Sequence, residues 1–163
     1  MIDVRKMLAW NDEMHARWFE GLERLPEDVL NAKVDASFLT PLGILTHMAN
    51  VESAWMDVVE GNPNPKWGRV STKEHTTLAP VRAYAEEVRA RTHRLVDGLT
   101  EAELQRSCPV GWKTGAPAFT VEQILFTIVT HEHFHRGEIQ AVLWQRDIEP
   151  PALDYPAYAA PLA

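Results

Sequence analysis

His131 and His135 stand four residues apart in the stretch Thr120–Arg146, TVEQILFTIVTHEHFHRGEIQAVLWQR. Ile124, Ile128, Ile139 and Val142 recur there at helical spacing, and the two histidines fill the gap in that apolar stripe. The stretch therefore reads as a long amphipathic helix that turns two imidazoles inward. Residues four apart on a helix project to one side with Cβ atoms about 6 Å apart, close enough to share one metal ion. His47 interrupts another stripe in the same way, among Ile44, Met48, Val51, Trp55 and Val58. An unsatisfied polar group in a core costs about 1–3 kcal/mol, so each of these rings needs a partner. One answer is ordinary hydrogen bonding inside the core. The other is a three-nitrogen metal site with positions left open for water or substrate, the arrangement of catalytic metals. Two histidines on one helix and a third on another favour the metal. Neutral imidazole suits zinc, nickel, iron or copper, so ligand type alone does not select the ion.

Two carboxylates are candidate catalytic groups. His131-Glu132-His133-Phe134-His135 matches H-E-x-x-H, in which the glutamate is the base of a zinc protease. The longer protease signature fails, because Glu138 stands where its glycine belongs and the third histidine is missing. No stretch of the chain shows the strand alternation that would hold a peptide beside the motif. Glu132 is then a general base or an exposed helix charge. Glu138 falls within about 20° of His131 around the helix. It is a candidate to fix a ligand histidine's tautomer, or a surface charge. Arg136 is positioned to pair with a carboxylate on a neighbouring helix or on a substrate. His133 points away from the stripe, towards solvent or a supporting role. His15, His75 and His93 lack partners at useful spacing and read as surface residues.

Four long helical segments must position these groups. The first runs from about Ile2 to Leu25, with Met7, Trp10, Met14, Trp18 and Leu22 on one face, and Pro26 stops it. A short turn follows, anchored by Leu30 and Val34. The helix carrying His47 starts at Thr40-Pro41, a cap followed by a first-turn proline, and ends near Gly61. Another covers about Leu78 to Leu99, with Val81, Tyr84, Val88, Arg91/Thr92 and Leu95 on one side and a solvated Glu/Arg-rich side opposite. Thr100 with Glu103, and Thr120 with Gln123, form capping boxes. Sizeable loops lie at 61–76 and 107–119. Their Trp67 and Trp112 line a ligand pocket or cover the core. The proline-rich tail carries Tyr155 and Tyr158 as surface anchors. The expected architecture is one all-α domain over residues 1–163, a four-helix bundle of the up-down-down-up type.

Composition narrows the partners. Sixteen Lys+Arg against 23 Asp+Glu give a net charge of −7, with no basic helix face for nucleic acid. No apolar run reaches membrane-spanning length, and the N-terminus lacks a signal-peptide core. The single cysteine, Cys108, makes no internal disulfide, as in a cytoplasmic protein. With no close basic neighbour beyond Arg106 and Lys113, Cys108 reads as structural.

Taken together these motifs resemble the DinB/YfiT family over almost the whole chain. Leu8-Ala9-Trp10-Asn11 is similar to the family's aromatic-Asn start. Ser37-Phe38 precedes the helix whose His47 and Glu52 match H-x4-E. His131 to Ile139 is similar to H-x3-H-R-G-Q-I, and Asp147-Ile-Glu-Pro150-Pro151 with Asp154 to the closing Gly-x-x-Pro…Asp. Glu138 replaces the usual Gln and Asp147 the usual Gly. The resemblance implies a four-helix bundle, often a homodimer, with His47, His131 and His135 holding nickel, zinc or a similar divalent ion. Relatives include thiol S-transferases, thiol-dependent isomerases and hydrolase-like proteins, and some members are stress-inducible. Gly137, costly inside a helix by about 1 kcal/mol, suggests close approach by another helix or a partner chain. The leading expectation is metal-assisted activation of an exogenous low-molecular-weight thiol for transfer to a small-molecule electrophile. Hydrolysis by a metal-bound hydroxide, with Glu132 or Glu138 relaying protons, and a non-catalytic metal-binding stress protein are the alternatives.

Overall fold

Three of the four long helices begin on a side-chain cap that the sequence supplies. A computed structural model describes residues 3–33, 37–38, 40–112, 115, 118–152 and 154–155. Helix α1 is Val4–Leu22, with the Asp3 side chain accepting from the Arg5 amide at 2.9 Å. Helix α2 is the single turn Glu27–Leu30, which buries Leu30. Helix α3 is Pro41–Val59, and its Thr40 cap accepts from the Gly43 amide at 3.0 Å. Helix α4 is Leu78–Val96, α5 is Glu101–Leu104 and α6 is Val121–Trp144. Both expected capping boxes form, at Thr100 and at Thr120. The anchors Val34 and Tyr158, and Lys113, lie outside the described residues.

The expectation of no strands needs correction. Strands β1, Ser107–Cys108, and β2, Phe119–Thr120, pair antiparallel with Cys108 opposite Phe119. Two residues are too short for periodicity to reveal. The pairing ties the loop before α6 to the end of α5, and it buries Cys108.

Around the bundle α1 packs on α6, α6 on α3, and α3 on α4. Two apolar clusters make up the core. One gathers Met14, Met56, Val96, Ile124 and Ile128. The other gathers Trp18, Leu22, Ile44, Val81, Ile139 and Leu143. Helices α1 and α6 run from the first cluster to the second, whereas α3 and α4 run the opposite way, which is the up-down-down-up sense. The long connection at 60–77 is what lets α3 and α4 lie parallel, since a tight turn would force them antiparallel.

Between the clusters lies a buried polar layer. Glu132 accepts from Arg89 at 2.8 and 2.9 Å, from Arg136 at 2.7 Å and from Asn11 at 2.9 Å. Glu52 accepts from Thr92 at 2.6 Å and faces Arg89 at 3.3 Å. The layer thus joins α1, α3, α4 and α6. Two sequence expectations fall here. The Glu/Arg-rich side of α4 is not wholly solvated, because Arg89 is buried. Glu132 is not an exposed helix charge, being 2% exposed.

Helix α6 ends on Asp147 in the left-handed region, φ 57°. The Asp147 and Ile148 amides bond back to the Trp144 and Leu143 carbonyls. This is the position where the resembled family carries Gly, and glycine adopts that conformation without the Cβ penalty. Asp147→Gly is expected to raise unfolding free energy by about 0.5–1 kcal/mol in urea titrations.

Candidate metal centre

Close packing of α3 against α6 brings His47 opposite His131 and His135. The Nε2 atom of His131 lies 3.2 Å from that of His47 and 3.0 Å from that of His135. All three ligand atoms fall within 4.8 Å of one another, the one such grouping of His, Cys, Asp or Glu among the described residues. A tetrahedral ion at zinc–nitrogen distances of about 2.0–2.1 Å separates its ligands by about 3.3–3.4 Å, so both His131 spacings come close to what a metal requires.

The chemistry of the donors fits as well. Burial, then the neighbouring histidines, lowers His47 to about 3. Burial and His135 lower His131 to about 4. Both rings are therefore neutral near pH 7 and carry a lone pair. Glu138 Oε2 sits 2.6 Å from His135 Nδ1 and accepts the Ser37 hydroxyl at 2.8 Å. Burial pushes the Glu138 carboxyl up, but the His135 and Ser37 hydrogen bonds outweigh it and hold the group below its ordinary value. An ionised Glu138 fixes the His135 proton on Nδ1 and leaves Nε2 as the donor atom. Three converging nitrogens cannot satisfy one another: a proton relieves one pair, whereas a cation relieves all three.

Phe38 covers the cluster, its ring stacked on His47 at 3.7 Å and edge-on to His135 at 6.0 Å. Loss of the orienting contact is expected to weaken metal binding. Glu138→Ala is predicted to lower affinity about 10–100-fold in a competition assay with a chromogenic chelator. Glu138→Gln, which keeps an acceptor and is the family's usual residue, should stay within about tenfold of wild type.

The other candidate residues lie elsewhere. Glu132 turns away from the imidazoles into the buried layer, where two guanidinium groups overcome its burial and keep it ionised. Arg136 is 1% exposed, bonded to Glu132 and to Asn11 Oδ1 at 2.7 Å, so it meets a protein carboxylate rather than a substrate. His133 is exposed and packs on Trp10 at 5.3 Å. Trp112 contacts Trp55 and Trp67 at 5.7 and 5.0 Å. Trp55 is about 12 Å along α3 from His47, so Trp67 and Trp112 cover the bundle away from the histidines. No other helix approaches Gly137, where an added Cβ meets nothing within 4 Å among the described residues. His15 is not a surface histidine: its Nε2 is buried, and burial lowers it to about 4. The residues the sequence did not reveal are Arg89, whose burial depends on α6, and Ser37 as the support for Glu138.

The family model for the DinB family matches residues 1–162. An uncharacterised protein of Bacillus subtilis strain 168, YizA, is 22% identical over 146 residues, covering 90% of this chain and 88% of that one. Protein DinB of the same strain is 23% identical over 160 residues, covering 94% and 91%. Among solved structures, a DinB-like protein from Bacillus cereus superposes with a TM-score of 0.69 at 12% identity, covering 93% of this chain and 95% of that one. With the family model matching almost the whole length and the bundle shared with that structure, the chain belongs to the DinB family.

Proposed function

We propose that this single domain holds one divalent transition-metal ion, nickel or zinc, on His47, His131 and His135, and uses it to activate an exogenous low-molecular-weight thiol for S-transfer in the cytoplasm. The observation that carries the reading is the convergence of three Nε2 atoms, one of them oriented by Glu138. A divalent ion on three neutral ligands would lower the pKa of a thiol taking an open position. The thiolate sulfur then bonds to the electrophilic carbon, the leaving group departs with the bond's electron pair, and the thiol proton goes to solvent. The chain supplies no competing thiolate, since its one cysteine, Cys108, is buried and burial pushes its thiol up. Hydrolysis is less well supported, because Glu132 is engaged in the buried layer and Glu138 with His135. Metal-loaded protein should turn over at least one thiol with monochlorobimane or chlorodinitrobenzene, and chelation should abolish it. Absence of metal-dependent turnover across a thiol panel overturns S-transfer; turnover of esters alone favours hydrolysis.

We infer further that two copies pair through the outer face of α6. No helix among the described residues is long and apolar enough to cross a membrane, yet Phe126, Phe134 and Trp144 are 50%, 63% and 54% exposed along one helix face. Phe126 and Trp144 lie nine residues either side of residue 135, and Phe134 lies one residue from it, near the open Gly137. An antiparallel copy therefore sets Trp144 against Phe126 and brings the two Phe134 rings together near the axis, a self-complementary two-fold pattern. Half-burying six aromatics removes on the order of 600 Å², about half the smallest stable interface before neighbouring residues are counted. Sedimentation should show a dimer at micromolar concentration and a monomer for Phe134→Glu. A monomeric wild type overturns the pairing.

A further inference from the structure

A cavity of about 320 Å³ lies beside the histidine cluster, lined by Lys33, Phe38, Thr40, Thr72, Lys73 and His75 among others. Its charge is unlike that of the molecule. The chain carries a net −7, yet two of its five lysines line this one cavity, and among the described residues no carboxylate does. Glu74, between Lys73 and His75, turns back to the Ser71 amide at 3.4 Å. Neither lysine has an ion-pair partner among the described residues, in a protein where Arg5, Arg17, Arg69, Arg82, Arg89, Arg91 and Arg136 are all paired.

The two loops that supply the lysines are held together. Asn31 donates to the Thr76 carbonyl at 2.7 Å. Gly43 admits both to the first turn of α3: a Cβ there would lie 2.5 Å from the Phe38 carbonyl oxygen and 3.2 Å from that of Thr72. The wall is thus built on the same helix that carries His47. Phe38 is common to both sites, lining the cavity while its ring stacks on His47 at 3.7 Å.

We propose that this cavity binds the anionic end, a carboxylate or phosphate, of the small molecule on which the histidine site acts, with Lys33, Lys73 and His75 as its donors. Two lysines on a concave, threonine-lined space, without ion-pair partners among the described residues, favour an anion by charge and by hydrogen bonding from the threonines. Phe38 links the two sites, so a ligand anchored there would lie one aromatic ring from the histidine cluster. That the anion belongs to a substrate rests on the metal-centre reading above; the anion site itself does not.

The test is calorimetric titration of the full metal-loaded chain with succinate and with inorganic phosphate at fixed ionic strength, and with neutral succinamide as control. Saturable one-to-one binding of either anion is expected, with none of succinamide. The better of the two identifies carboxylate or phosphate. Lys33→Gln/Lys73→Gln should bind at least tenfold more weakly while its metal content per chain is unchanged. Failure of both anions to bind, or equal binding by the double variant, overturns the proposal, the latter because the anion then sits on the metal or elsewhere. Lysine-dependent binding to a protein found to carry no metal supports the anion site and removes the metal-centre reading.

Discussion

Glu132→Gln is expected to cost about 3 kcal/mol or more of unfolding free energy, measured by urea denaturation, although it changes one atom type. In the folded protein this carboxylate is the common acceptor for Arg89, Arg136 and Asn11 at 2.7–2.9 Å. Glutamine offers one oxygen and turns an amide donor towards guanidinium donors. Breaking a buried ion pair by removing one partner costs about 3–5 kcal/mol, because the remaining charge stays desolvated. Glu52 moderates the loss. Burial raises its carboxyl to about 8, Arg89 opposes that, and the negative charge of Glu132 adds to it. With Glu132 neutral, Glu52 ionises more readily and compensates Arg89 across their 3.3 Å contact. The exposed Glu13–Arg17 pair gives the contrast, for which Glu13→Gln should cost less than about 0.5 kcal/mol. A loss below about 1 kcal/mol for Glu132→Gln would show that the four helices do not depend on this layer.

The residues of the layer show why the sequence is only partly legible. Local rules work well here. Thr40, Thr100 and Thr120 cap the helices they are expected to cap, because a cap is a contact within four residues. The histidine triad is legible for a related reason: two of its members are neighbours on one helix, and the third breaks an apolar stripe. Arg89 has no such signature. It sits among Glu86, Glu87 and Arg94 on what periodicity presents as a solvated face, and only the approach of Glu132 and Glu52 from other helices makes its burial tolerable. His15 is hidden in the same way, since the packing of α1 determines its exposure. The H-E-x-x-H match misleads because adjacent helix residues diverge by about 100°. Once His131 faces α3, Glu132 must face the bundle interior. The family motif residues therefore divide into two groups. His47, His131 and His135 meet as candidate ligands, whereas Asn11, Glu52 and Arg136 hold the helices in register around them.

His135→Ala should leave the purified chain without the one transition-metal ion per chain expected in wild type, read by elemental analysis after dialysis. The loss of affinity should exceed the roughly 10–100-fold that follows removal of an orienting partner, since a donor atom itself is gone. The same variant separates metal stabilisation from core packing. An ion bound only by the folded state adds about 4 kcal/mol at a thousandfold excess over its Kd, and it does so by clamping α3 to α6 through His47. Chelation should therefore lower the melting temperature of wild type and leave that of His135→Ala unchanged. His133→Ala is the matched control, two residues away but packed on Trp10, and it should keep both the ion and the chelator response. Metal retained by His135→Ala would place the ligands elsewhere. A wild type that never carries metal would make the three nitrogens a hydrogen-bonded core cluster, and their mutual spacing of 3.0 and 3.2 Å would then reflect shared protons. The convergence of lone pairs argues against that outcome: with the His135 proton held on Nδ1 by Glu138, His131 Nε2 can either donate to one neighbour or accept from His47, so one of its two contacts is always left without a proton.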